Sequence, residues 1–137
     1  MYIHSHFKRV RYAETDKMGY LYYGHYAKYY EIGRVETIRT LGLSYKDLED
    51  KHRIMLPVLH LECRYHLPAY YDENIEIKSI LNELPGKMIV FNHELYNEKK
   101  QIINTAKIKL FFINMDTQQR VSCPKVLIDN LSEYFNV

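Results

Sequence analysis

The sequence predicts an α+β chain, an antiparallel five-stranded sheet wrapped around one long helix. Three observations carry that reading. Between Gly24 and Leu41, Tyr26, Tyr29, Tyr30, Ile32, Val35, Ile38 and Leu41 fall at helical spacing but over a wide arc. Such an arc fits a helix clasped by a curved sheet, not one lying on a surface. After residue 58, stretches of alternating polarity follow one another across turns of two to four residues, the pattern of an antiparallel meander. The single long helix must then bury its apolar arc on the concave side of that sheet.

Taken in order, residues 6–13 read as a first strand, with Val10 and Tyr12 alternating with Arg9 and Arg11. Gly19 marks a turn. The long helix follows, and Gly42 is its C-terminal stop. Gly33 in mid-helix costs about 1 kcal/mol against alanine, so a close backbone approach is expected there. Ser44 caps a short polar helix over 44–51, with Asp47 three residues on. Leu59, Leu61, Cys63 and Tyr65 alternate with His60, Glu62, Arg64 and His66 in a half-buried strand that Pro68 ends. Ile75 and Ile77 alternate with Glu76 and Lys78 in the next. Turns at 84–87 and 97–100 flank a strand reaching about Tyr96. The last strand runs from about Gln101 to Met115, with Ala106, Ile108, Leu110 and Phe112 on one face. Pro124 opens a final short helix. Edge strands and an uncovered sheet face favour self-association.

The 137 residues form one domain, 1–137, and an apolar share of 47% is enough for an ordinary core. The net charge of +2 comes without a basic stripe, so no nucleic-acid partner is expected. No apolar run approaches the roughly 20 residues of a membrane helix, and the first residues lack the apolar core of a signal peptide. These features predict a cytoplasmic protein without membrane insertion. Cys63 and Cys123 are far apart and read as free thiols. His4 and His6, like His60 and His66, read as strand residues, and no metal is expected. Tyr20, Tyr22, Tyr23, Tyr26, Tyr29 and Tyr30 cluster in sequence. They are read as amphipathic packing, with some lining a pocket.

The chemistry concentrates in residues 12–23, which bring together Glu14, Asp16, Gly19 and the start of the long helix. A carboxylate such as Asp16 is ionised at neutral pH and either attacks a carbonyl or acts as base toward water. The first N–H groups of a helix have no intrahelical partner and bind a developing oxyanion, a contribution on the order of 3 kcal/mol. Glu14, two residues earlier, shares a face with Asp16 if the chain is extended there, and is assigned a structural or tuning duty. Glu31 and Arg34 are spaced for an i, i+3 salt bridge, and Glu31 is the second candidate for the reacting carboxylate. There is no G-x-S-x-G nucleophile elbow.

Tyr12, Glu14, Thr15, Asp16, Gly19, Tyr22, Tyr26, Glu31 and Arg34 together resemble the signature of the 4-hydroxybenzoyl-CoA thioesterase family of hot-dog-fold proteins. Residues 65–72 resemble that family's connection between two strands. The chain looks most like the bacterial acyl-CoA thioesterase branch that includes the Tol-Pal-associated enzymes. The resemblance implies a hot-dog fold whose subunits join sheets edge to edge, as a homodimer or homotetramer, with active sites between subunits. It implies hydrolysis of an acyl-CoA thioester, or alternatively an acyl-ACP thioester. No cofactor is implied beyond the CoA of the substrate. Asp16 falls at the family's catalytic aspartate and Tyr23 at its backbone oxyanion donor. Many members of the branch carry histidine where Tyr23 stands and asparagine where His25 stands, so His25 is a candidate to orient water instead. Lys87 falls where the family places phosphate-binding basic residues, with Arg64, Lys99 and Lys100 as further candidates. Gly19, Tyr22, Tyr26, Pro57 and Val58 complete the implied substrate-binding set. A non-catalytic acyl-binding protein of the same fold is a further alternative, against which Asp16 and Gly19 count.

Overall fold

A computed structural model describes residues 1–136. Its strands are β1 (Tyr2–Arg9), β2 (Ile54–Met55), β3 (Val58–Tyr65), β4 (Asn74–Leu81), β5 (Met88–Tyr96), β6 (Ile102–Phe111) and β7 (Ile113–Asn114). The helices are α1 (Tyr26–Thr40), α2 (Tyr45–Asp50) and α3 (Lys125–Leu131). Five strands form one antiparallel sheet in the order β1-β4-β5-β6-β3, and β2 pairs with β7. The helix α1 packs over β1, β4 and β5. Tyr29, Tyr30 and Ile38 of α1 are buried, as are Ile75, Ile77, Phe91, Leu95 and Ile108 from the sheet. This is the predicted α+β architecture of a sheet wrapped around one helix.

Gly33 shows why a glycine stands in mid-helix. A Cβ there would lie 2.6 Å from Ser79 Oγ and 2.7 Å from Ile77 Cγ2, so the backbone of α1 rests directly on side chains of β4. Ser44 caps α2 as expected, its Oγ accepting from the Asp47 N–H at 3.0 Å. Gly42 stops the long helix with φ of +84°.

Two boundaries and the burial of one strand differ from the sequence reading. The first strand is Tyr2–Arg9, and Tyr12–Glu14 form a 3₁₀ turn instead of its end. The strand faces α1 with Tyr2 and Lys8, whose polar ends meet Thr40 Oγ1 and the Tyr29 ring, so its inner face carries no apolar alternation. The last strand stops at Phe111, and the chain then turns through buried Phe112 to pair β7 with β2. The strand β3 is not half-buried. Val58, Leu59, Leu61 and Tyr65 are 48%, 47%, 40% and 52% exposed. Their alternation is that of a strand, but β3 lies at the sheet edge, and α1 packs chiefly over β1, β4 and β5. Among the described residues, no helix is long and apolar enough to cross a membrane.

Candidate active site

The segment between β1 and α1 crosses one end of the sheet and is pinned from two sides. Val10 N–H donates to Glu73 O at 2.9 Å, Leu21 N–H to Ala69 O at 2.7 Å and Tyr71 N–H to Gly19 O at 3.0 Å. The connection between β3 and β4 therefore holds the segment on its outer side. Within it, Asp16 closes a turn. The Gly19 N–H donates to Asp16 O at 3.0 Å, with Gly19 at φ +80°, a conformation glycine adopts without cost. Asp16 Oδ1 accepts from Met18 N–H at 2.9 Å and Tyr20 N–H at 3.2 Å. Oδ2 has no protein partner among the described residues.

A 3₁₀ turn, Tyr23–His25, opens α1. Tyr22 N–H donates to Glu14 O and His25 N–H to Tyr22 O, both at 2.9 Å. The N–H groups of Tyr23 and Gly24 have no partner among the described residues. They are the unspent donors at the positive end of the helix dipole.

Asp16, Tyr23, Tyr26, Tyr65, Leu67 and Pro68 line one groove of about 380 Å³. Tyr26 meets the Tyr65 ring edge-on at 5.1 Å, and Tyr65 OH donates to Tyr23 O at 3.4 Å. Burial raises the Tyr26 phenol above its ordinary pKa. A hydrogen bond with Cys63, together with burial, pushes Tyr65 up to about 12. Both rings are neutral at physiological pH, and Asp16 is the one carboxylate on the groove wall among the described residues.

Of the residues singled out from the sequence, Asp16, Tyr23 and Tyr26 come together on this groove, and Gly19 shapes the turn beneath Asp16. Tyr22 and His25 flank it, their rings 5.8 Å apart, without lining it. Glu31 is exposed on α1 and forms no ion pair with Arg34. Arg34 turns inward instead and is buried near Tyr45 and His93. Pro57 and Val58 sit at the β3 edge, where Pro57 O accepts from Phe111 N–H at 3.1 Å. Arg64 lines a hollow on the outer sheet face with Glu62, Thr105 and Lys107. Lys87 lines a separate groove of about 490 Å³ with Lys107 and Lys109. Within one chain none of these four reaches Asp16's groove.

Glu14 does not share a face with Asp16, because the chain there is a 3₁₀ turn and not a strand. The carboxylate points inward, 3% exposed, among Lys8, Lys28, Tyr29 and the Arg11 N–H. Burial pushes its pKa up, but hydrogen bonds from Lys28, Arg11 N–H, Lys8 and Tyr29 outweigh that and hold it at about 2. Sequence reasoning also missed the groove wall formed by Tyr65, Leu67 and Pro68. The signal available is the 65–72 stretch, in which Tyr65, Leu67 and Pro68 stand close together.

A sheet wrapped around one helix, with a carboxylate and free N–H groups at the helix's opening, defines the hot-dog class of acyl-transfer proteins. A family profile described as the Thioesterase-like superfamily matches residues 10–131, and the chain belongs to that superfamily. The chain is 33% identical to the DHNA-CoA thioesterase of Staphylococcus aureus, whose solved structure superposes with a TM-score of 0.83 over 99% of this chain and 85% of that one. It is 26% identical to the acyl-CoA thioester hydrolase YbgC of Escherichia coli, over 88% of this chain and 89% of that relative. Its match to YneP of Bacillus subtilis is 35% identical and spans 64% of this chain and 63% of that relative.

Proposed function

We propose that this protein hydrolyses acyl-CoA thioesters to the free acid and CoA, with Asp16 as the reacting carboxylate. The observation that carries the reading is one groove lined by both Asp16, whose Oδ2 is unspent, and Tyr23, which opens the turn where the Tyr23 and Gly24 N–H groups lack partners. A thioester carbonyl seated there places its oxygen on the helix opening, where two N–H donors and the dipole stabilise the tetrahedral oxyanion. Asp16 then works by one of two balanced routes. As nucleophile it forms a mixed anhydride and expels CoA thiolate, and water cleaves the anhydride. As base it takes a proton from water as the water oxygen attacks the carbonyl, and the tetrahedral intermediate then expels CoA thiolate, which takes up that proton. Single turnover in ¹⁸O-water separates them, since cleavage of the anhydride at its Asp16 carbonyl puts label into that side chain.

Two chains are proposed to pair through β3, an edge strand with exposed apolar residues, as a homodimer or homotetramer. Such pairing brings Pro57 and Val58 to the boundary between subunits. Lys87 and Arg64 are proposed to meet CoA phosphates, His25 to orient water and Tyr22 to flank the entrance. Glu31 is the reserve carboxylate. An acyl-CoA substrate is consistent with a cytoplasmic protein that requires no cofactor of its own.

The test is a hydrolysis screen over short, long and aromatic acyl-CoAs, aromatic ones because one relative is a DHNA-CoA thioesterase. Asp16→Asn is expected to lower turnover by at least about a hundredfold with the oligomer intact. Full activity in that variant rejects Asp16 as the reacting group.

A further inference from the structure

We infer that Glu14 is a positioning residue for this reaction, a clasp that sets Asp16 in register with the free N–H groups at the start of α1. The inference rests on the role of Asp16 given above. Glu14 is the one buried carboxylate among the described residues, and its oxygens tie together three parts of the fold. Oε1 accepts from Lys8 Nζ of β1 at 3.0 Å, from the Arg11 N–H of its own turn at 2.9 Å and from Tyr29 OH of α1 at 2.8 Å. Oε2 accepts from Lys28 Nζ of α1 at 2.7 Å. A single carboxylate thus fastens the segment leaving β1 to the first turn of the helix.

The backbone of the same residue completes the link. Glu14 O accepts the Tyr22 N–H at 2.9 Å, and Tyr22 immediately precedes the two unpartnered N–H groups. Asp16 lies two residues beyond Glu14, inside a turn that Thr15 and Leu21 close by pairing. The side chain of Glu14 fixes where the Asp16 turn sits on α1, and its carbonyl fixes where the donors sit relative to that turn. Glu14 is on the helix side of the segment and Asp16 on the groove side, so Glu14 meets no substrate. Four charge-assisted or buried hydrogen bonds exceed what a surface turn needs for stability. Chemistry that depends on a carboxylate and an oxyanion donor is sensitive to displacements of about 1 Å between them.

The inference predicts a loss in kcat with KM nearly unchanged, because binding contacts in the groove are untouched while the reacting groups drift apart. The experiment measures kcat and KM for the wild type, Asp16→Asn, Glu14→Gln, Glu14→Asp, Lys28→Met and the core control Ile108→Val, on the best acyl-CoA of the screen. Glu14→Gln is expected to lose at least about tenfold in kcat with KM within about threefold. Glu14→Asp should recover part of that loss. Ile108→Val lowers the melting temperature far from the loop and should keep wild-type kcat. Lys28→Met removes one half-exposed partner and should fold even if Glu14→Gln does not, with kcat down about threefold. Wild-type kcat in Glu14→Gln, or in Lys28→Met where Glu14→Gln fails to fold, overturns the positioning role if Asp16→Asn is inactive. Full activity in Asp16→Asn instead overturns the reading of Asp16 itself.

Discussion

Glu14→Gln also makes a thermodynamic prediction that needs no substrate. A carboxyl held at about 2 instead of 4.5 contributes about 3 kcal/mol to folding stability at neutral pH. The folded pKa is depressed, so the unfolded chain binds the proton more tightly. The contribution is complete above about pH 5 and disappears as pH falls toward 2. The Lys28 side chain is 53% exposed, so its share is screened by salt, whereas Lys8 at 15% is sheltered. The working figure is therefore about 2–3 kcal/mol in moderate salt. Glutamine keeps one acceptor oxygen but turns an amide toward an ammonium group, which adds an unmet donor. Buried His93, held low at about 3 by desolvation with help from Arg34, also weakens the fold as pH drops from 6.5 to 3. That loss is common to both proteins and cancels in their difference. Urea unfolding of wild type and Glu14→Gln at one protein concentration, from pH 7 down to pH 2.5, gives the difference directly. The gap should be about 2–3 kcal/mol at pH 7 and narrow steadily below pH 5. A gap that stays constant across the titration, or that is absent at pH 7, refutes the ionised clasp.

Three further outcomes follow from single contacts. Tyr23→Pro should fold, because Tyr22 already has φ −62° and ψ 133°, the region allowed before proline, and no backbone hydrogen bond is lost. It deletes one proposed oxyanion donor, so kcat should fall on the order of a hundredfold, while Tyr23→Phe stays within about threefold, as paired assays would show. Gly33→Ala should lower stability by about 1–3 kcal/mol in a thermal melt, despite alanine's better helix propensity, because the new methyl meets Ser79 Oγ at 2.6 Å. Leu61→Lys should shift light-scattering mass toward the monomer by charging the exposed edge of β3.

Much of the architecture was legible because it depends on local patterns. The wide arc from Tyr26 to Leu41, the Ser44 cap and the turns after Leu84 and Asn97 are signals within a few residues of one another. The family signature also put Asp16, Gly19 and Tyr23 where the structure gathers a turn and a groove. What stayed illegible depends on contacts far apart in sequence. Arg34 stands three residues from Glu31, as a surface pair would, but α2 and β5 draw it inward toward Tyr45 and His93. The period of β3 gave its strand character, but its exposure comes from its place at the sheet edge, and strand order is not written in alternation. Spacing alone puts Glu14 on the face of Asp16, because its real partners, Lys8, Lys28 and Tyr29, lie on elements that only the fold brings together.

The same arrangement answers the strongest objection to Asp16, that an aspartate before a glycine turn is a turn residue and nothing more. Oδ1 does serve the turn, accepting the N–H groups of Met18 and Tyr20. A carboxylate has two oxygens, and two backbone donors on one of them hold the plane of the group while leaving the other free. A side chain free of the turn would rotate among several positions instead of being held beside the groove that Asp16 shares with Tyr23. The structural duty of Asp16 is therefore a condition for its chemistry, and Glu14, anchored on the opposite side of the same segment, keeps that turn at the mouth of the helix.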